Sequence, residues 1–165
     1  MRPGWDEYFL QLAELVSSRS TCDRKHCGAV IVKDNKILAT GYNGSIKGLP
    51  HCNEIGHLIV NNSCVRTIHS EQNAIAQAAR YGTAIEGATI YINAIPCWIC
   101  FRIISNSGIK RIVAYDAYKY DEKVMEAARA SNIELTLVTL SGDNEEPDEQ
   151  EFNNVSNKSI LSPEQ

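Results

Sequence analysis

Apolar positions in this chain recur at two spacings, and these divide it into helices and strands. Phe9, Leu12, Ala13, Leu15 and Val16 fall at helical intervals between Trp5 and Ser18. Two short runs rich in branched residues follow, GAVIV at 28–32 and KILAT at 36–40. Asp34-Asn35 separates them, and such a pair favours a tight turn, so the runs predict a hairpin. Residues 41–56 contain Gly, Asn and His and form a loop longer than a plain connection needs. The Ala-rich stretch SEQNAIAQAAR at 70–80 predicts a helix stopped by Tyr81-Gly82. ATIYI at 88–92 reads as a strand. Residues 97–107 read as a helix, with Pro96 at or just before its first turn and Gly108 at its end. A strand at 111–115, a helix at 121–130 and a strand at 133–140 complete the pattern.

Strands that alternate with helices imply a layered α/β domain. The pattern ends near residue 140. We therefore expect one domain over residues 1–140 and a separate tail over residues 141–165. The tail is polar, acidic and poor in aromatics, a composition that cannot bury enough apolar surface to fold, so disorder is expected there.

Composition narrows the classes. The formal charge is -4, which supplies no broad basic field for long nucleic acid, although a small phosphorylated ligand needs only a local basic pocket. No apolar run is long enough to span a bilayer, so no membrane partner is expected. Asp6, Glu7 and Glu14 interrupt the N-terminal segment, which argues against a secretory leader. Six cysteines without a leader suit a reducing cytoplasm, where clustered cysteines serve as metal ligands or catalytic groups more often than as disulfides.

The strongest chemical signal is His69-Ser70-Glu71 followed by Pro96-Cys97-Trp98-Ile99-Cys100. Zinc prefers nitrogen and sulfur donors, and a catalytic zinc keeps three protein ligands and one open position. His69, Cys97 and Cys100 supply those three. The cysteines stand three residues apart at a helix start, so both can face one point, and the helix N-terminus favours thiolate. Glu71 can stand beside the open position and move protons. Either half alone is weak, since a CxxC pair also occurs in redox pairs and closed zinc sites. Their combination with Glu71 is specific.

The order H-x-E then P-C-x-x-C is a known signature of zinc nucleobase deaminases. The sequence resembles the cytidine deaminase superfamily, most closely its deoxycytidylate deaminase branch. RSTCDRKHCGAVIV, GYNGSIKGLPHC, CVRTIHSEQNAI, PCWIC and SGIKRIVAYDAYKY carry the resemblance, over about residues 5–140. Departures are modest: Ser70 stands where the family usually has alanine, Cys27 where it often has valine, and Asn93-Ala94-Ile95 is atypical.

The resemblance implies a three-layer α/β/α domain with a mixed five-stranded sheet. It implies hydrolysis of dCMP to dUMP and ammonia, with Glu71 as the proton carrier and dUMP feeding thymidylate synthesis. It also implies a homo-oligomer, commonly a hexamer, activated by dCTP and inhibited by dTTP. Arg66, Arg80 and the GYNGS loop are candidates for the effector or subunit interface.

Cys22, Cys52 and Cys64 fall in loops. With His57 they make a Cys3His set suited to a second, structural zinc, which many members of the branch carry; His51 is the rival for the histidine position. Cys27, at a strand start, reads as a small buried apolar residue. By resemblance Arg24 contacts the phosphate and Asn43 the sugar. Ser70 and the PCWIC turn read the base, and Trp98 is a candidate pocket wall. Tyr118 follows a strand end, where ligands gather in α/β folds, and can stack on the nucleotide. Asn73 lies about half a turn away from Glu71 and is expected behind the site. The rival readings are a deaminase acting on free cytidine, a pyrimidine precursor or tRNA adenosine, and a non-catalytic zinc module.

Overall fold

The structure is a computed structural model that describes residues 2–115 and 121–139. Helix α1 spans Trp5–Ser17. Strands β1 (Gly28–Lys33) and β2 (Lys36–Tyr42) follow as an antiparallel hairpin. Asp34 and Asn35 take φ of 52° and 58° in its turn. Asn and Asp tolerate that left-handed geometry better than most side chains, and tight hairpin turns demand it.

Three further strands, β7 (Thr89–Ile92), β8 (Arg111–Tyr115) and β9 (Glu134–Val138), complete a sheet in the order β2-β1-β7-β8-β9. Strand β1 is antiparallel to both neighbours, whereas β7, β8 and β9 run parallel. The sheet is mixed and five-stranded, as expected. The parallel connections carry helices α4 (Trp98–Asn106) and α5 (Glu122–Ala130).

Strand side chains alternate between the two faces. Val30, Val32, Tyr91 and Val113 pack on Phe9, Leu10 and Ala13 of α1. Ala29, Ile31, Ile90, Ile92 and Ile112 pack on the other side. There they meet Ala74 and Ala78 of α3 (Ser70–Arg80), Phe101 and Ile104 of α4, and Val124 of α5. Three layers result. Asp6 ties α1 to the sheet, accepting both Arg111 Nη–H groups at 2.8 and 2.7 Å and the Tyr91 hydroxyl at 2.9 Å.

The structure corrects several boundaries. Leu15 is 67% exposed, because the buried stripe of α1 runs through Phe9, Leu10, Ala13 and Ser17 and leaves Leu15 on the opposite face. Cys97 and Asp121 are N-cap residues rather than helical ones, and Asp121 accepts the Lys123 N–H at 3.0 Å. The expected loop at 41–56 and the stretch from there to His69 contain small elements. These are β3 (Gly44–Ser45), α2 (Cys52–Ile55), β4 (Ile59–Val60), β5 (Ser63–Cys64) and β6 (Thr67–Ile68). Two-residue strands carry no readable alternation, so the pattern concealed them. The tail at 141–165 lies outside the described residues.

Candidate active site and metal centres

Strand β6 delivers His69 to the N-cap of α3, and Ser70 and Glu71 open that helix. Cys97 caps α4, and Cys100 lies one turn inside it. His69 Nδ1 stands 3.6 Å from Cys97 Sγ and 3.3 Å from Cys100 Sγ. A tetrahedral zinc would separate such S and N donors by about 3.6 Å, so the set fits the metal. Two helix N-termini thus bring the three donors named from the sequence to one point.

The electrostatics suit that role. Cys97 is lowered to about 4, because it accepts a hydrogen bond from the Cys100 thiol and, against the cost of burial, another from His69. The Cys100 thiol is pushed up by its bond to Cys97 and by burial. His69 is raised chiefly by its hydrogen bond to Cys97. Glu71 is 5% exposed, and burial raises its carboxyl above the usual range. The fully buried Ser70 hydroxyl donates to Glu71 Oε2 at 3.0 Å and acts in the opposite sense.

A cavity of about 340 Å³ opens onto this cluster. Arg24 and Lys25 line it together with His69, Glu71 and Cys97. Arg24 Nη2 donates to the Asn62 carbonyl at 3.2 Å. Asn43 also lines the cavity, but its amide already works on the backbone: Oδ1 accepts the Cys27 N–H at 2.8 Å, and Nδ2 donates to the Lys25 carbonyl at 2.7 Å. Asn43 is therefore a clamp on the loop that carries Lys25, whatever else it touches. Cys27 lines the same cavity and is only half-buried, with burial raising its thiol to about 11.

Other expectations divide. Asn73 donates to the Tyr42 carbonyl at 2.7 Å, behind the site as expected. Trp98 does not wall the cavity; it stacks on Phe101 at 6.0 Å and packs against the core. Tyr118 lies outside the described residues. Asn93, whose role the sequence concealed, accepts the Gly28 N–H at 2.9 Å and donates to Glu14 and to the His26 carbonyl.

A second cluster borders the same cavity, which Cys22 and Cys64 also line. The donors of Cys22, Cys52, His57 and Cys64 lie within 4.8 Å of one another. Cys22 Sγ is 3.8 Å from His57 Nδ1, and Cys52 Sγ is 3.7 Å from Cys64 Sγ. Tetrahedral zinc sets S···S at about 3.8 Å, so this donor set fits as well. His57 completes it, and His51 lines a different cavity. Cys52 is raised to about 12 by burial and by its bond with Cys64. Burial also pushes Cys64 up, but hydrogen bonds from the Arg66 N–H, His57, the Leu58 N–H and Cys52 outweigh it and set the thiol at about 6.

The sequence model of the cytidine and deoxycytidylate deaminase zinc-binding region matches residues 3–116. The chain belongs to the cytidine and deoxycytidylate deaminase family. It is 39% identical over 139 residues to the ComE operon protein 2 of Bacillus subtilis, covering 84% of this chain and 74% of that protein. It is 34% identical over 142 residues to a deoxycytidylate deaminase of Schizosaccharomyces pombe, covering 81% of this chain. It spans only 44% of that yeast protein's length. Among solved structures it is similar to the dCMP deaminase of cyanophage S-TIM5 in complex with dCMP and dUMP. That match has a TM-score of 0.72 at 27% identity, covering 84% of this chain and 99% of the other. The five-stranded mixed sheet is the sheet of this family. Among the described residues, no helix is long and apolar enough to cross a membrane.

Proposed function

We propose that this chain hydrolyses dCMP to dUMP and ammonia. The observation that carries the reading is one cavity lined both by the deaminase cluster of His69, Glu71 and Cys97 and by the cations Arg24 and Lys25. A nucleoside monophosphate needs both ends. The similarity to a dCMP- and dUMP-bound phage deaminase supports the same substrate.

His69, Cys97 and Cys100 would hold the catalytic zinc, and Cys22, Cys52, His57 and Cys64 a second, structural one. When bound there, a zinc would lower the pKa of a coordinated water toward neutrality and so supply the nucleophile. Glu71 takes the proton released as water attacks C4 and delivers it to the ring nitrogen. It then moves the second proton to the departing amine, so that ammonia leaves and the carbonyl of dUMP forms. Its raised carboxyl suits a group that both takes and gives protons. Ser70 keeps that carboxylate oriented. Arg24 holds the phosphate, Asn43 keeps Lys25 and the sugar side of the loop in place, and Tyr118 keeps the role the resemblance implies, stacking on or hydrogen-bonding the nucleotide.

The product would supply thymidylate synthesis in the cytoplasm, with no call on long nucleic acid. Regulation by dCTP and dTTP and assembly as a homohexamer belong to the same reading. A further cavity, lined by Gly41, Tyr42, Gly44, Ser45 and His51, is the candidate effector site. The buried Ser45 Oγ and His51 Nδ1 there lack a hydrogen-bond partner and suit a polar ligand.

The test is to incubate the zinc-loaded protein with dCMP, CMP, deoxycytidine and dCTP and follow cytosine absorbance, with and without dCTP as effector. Turnover of dCMP and a large loss on Arg24→Ala are expected. Equal turnover of deoxycytidine, untouched by Arg24→Ala, would favour a nucleoside deaminase. No turnover of any nucleotide would leave a zinc module.

A further inference from the structure

Residues 22, 23 and 24 serve three neighbouring tasks. Cys22 Sγ lies 3.8 Å from His57 Nδ1. Asp23 Oδ1 lies 3.1 Å from Nε2 of the same ring. Arg24 lines the cavity and donates to the Asn62 carbonyl at 3.2 Å. The His57 imidazole therefore has one nitrogen on a carboxylate and the other turned to the thiols of Cys22, Cys52 and Cys64.

A carboxylate can only accept, and a neutral imidazole has one N–H to give. Asp23 thus selects the tautomer with the proton on Nε2 and leaves the Nδ1 lone pair facing the thiols. Metal-ligating histidines are generally oriented by such an outer partner. The surrounding chain adds a consequence. Cys64 sits in the β4–β5 hairpin, whose turn residue Asn62 accepts from Arg24. An ion shared by Cys22 and Cys64 would tie the loop carrying Arg24 to that hairpin.

We propose that Asp23 is a positioning residue of the second metal site, and that the metal it helps retain fixes the cavity wall carrying Arg24. The inference rests on reading Cys22, Cys52, His57 and Cys64 as a zinc site. It assigns that site a part in substrate affinity beyond holding the fold together.

The experiment compares the full-length protein with Asp23→Ala and Asp23→Asn. Zinc release is followed by titration with a colorimetric chelator, and kcat and KM for dCMP are measured on the same samples. Asp23 is 70% exposed at its side chain, so its replacement leaves the core intact. Wild type should hold two zinc ions per chain. Asp23→Ala should surrender one of them at roughly 10–100-fold lower chelator and keep the other. KM should then rise several-fold while kcat stays within about two-fold, the split expected when ground-state binding alone is lost. Asp23→Asn keeps an oxygen acceptor toward Nε2 and should restore most of both properties. Release at the wild-type chelator concentration would overturn the inference while leaving the second site standing. So would loss of one zinc with KM unchanged. A wild-type chain that binds a single zinc would remove the second-site reading itself, and the inference with it.

Discussion

Gly41 is the residue through which the hairpin sets the position of the catalytic helix. A Cβ built there would lie 2.3 Å from both the Ala74 amide nitrogen and the Ser70 carbonyl oxygen, and 2.9 Å from Ala74 Cα. All three are backbone atoms of α3, so no side-chain rotation relieves the clash. Ordinary contact begins near 3.4 Å, and Gly41→Ala therefore requires α3 to retreat from β2 by about 1 Å. That helix begins at the His69 cap and carries Glu71 in its first turn. The His69 Nδ1 distances of 3.3 and 3.6 Å to the two cysteine sulfurs would not survive such a shift. Overpacking of this kind costs about 1–3 kcal/mol. For a domain of this size that is a drop in melting temperature of roughly 2–12 °C. A misplacement of about 1 Å at the reacting groups can cost about 100-fold in rate. The assay is a thermal melt of zinc-loaded protein, with zinc content and kcat on dCMP measured on the folded fraction. Gly4→Ala is the control, since a Cβ there meets nothing within 4 Å. A Gly41→Ala protein that melts with wild type and retains full kcat would refute the argument that this close approach positions the site.

Glu71→Gln preserves shape and removes the proton carrier. Turnover of dCMP should fall roughly 100- to 10,000-fold with the zinc content unchanged, and metal analysis beside steady-state kinetics checks it. The Asp6–Arg111 pair predicts an acid limb in stability. Its hydrogen bonds to Arg111 hold the Asp6 carboxyl below its ordinary value, against some opposing burial. The stabilisation is therefore complete above about pH 4, where the unfolded carboxyl is ionised, and fades as pH falls through the lower folded value. The Asp6 side chain is 37% exposed, so solvent screening keeps the contribution to about 1 kcal/mol. Urea melts from pH 7 to pH 2 should show Asp6→Asn less stable at neutral pH and converging on wild type in acid. Parallel curves would contradict the pairing.

The cluster of His69, Glu71, Cys97 and Cys100 was legible in the sequence because its geometry is local. His69 and Glu71 share one helix start and Cys97 and Cys100 another, and a helix start imposes a fixed direction on its first residues. The five strands were legible as short apolar runs rich in branched residues, and four of them hold at least five residues, long enough to stand out. The short pairs β3–β6 and β4–β5 were not, since two residues cannot alternate. The choice between His51 and His57 was undecidable from spacing; the fold gathers His57 with the three cysteines and carries His51 to another cavity. Asp23 left no signal, and Asn93 showed only as part of an atypical stretch, with no sign of its role. Asn93 bonds to residues more than 60 positions away, so its partners cannot be read from its neighbourhood. Leu15 shows the converse: it fitted the apolar period of α1 but fell on the face that no layer covers.

The two donor clusters use the same residue types, yet their surroundings separate their chemistry. The first has three donors and, beside them, a buried carboxylate that opens on the cavity. The second has four donors, and the carboxylate beside it, Asp23, is engaged by the histidine ring. A tetrahedral metal with three protein ligands must take its fourth from solvent or substrate, whereas four protein ligands leave it nothing to bind. Moving one cysteine would therefore change the class of either site. A fourth thiol near His69 would close the position that Glu71 serves. Loss of Cys64 would open the second site to water, but with no free carboxylate to move a proton there. With zinc in both sites, what would separate their reactivity is donor count and, among the described residues, Glu71, the buried carboxylate that lines the cavity.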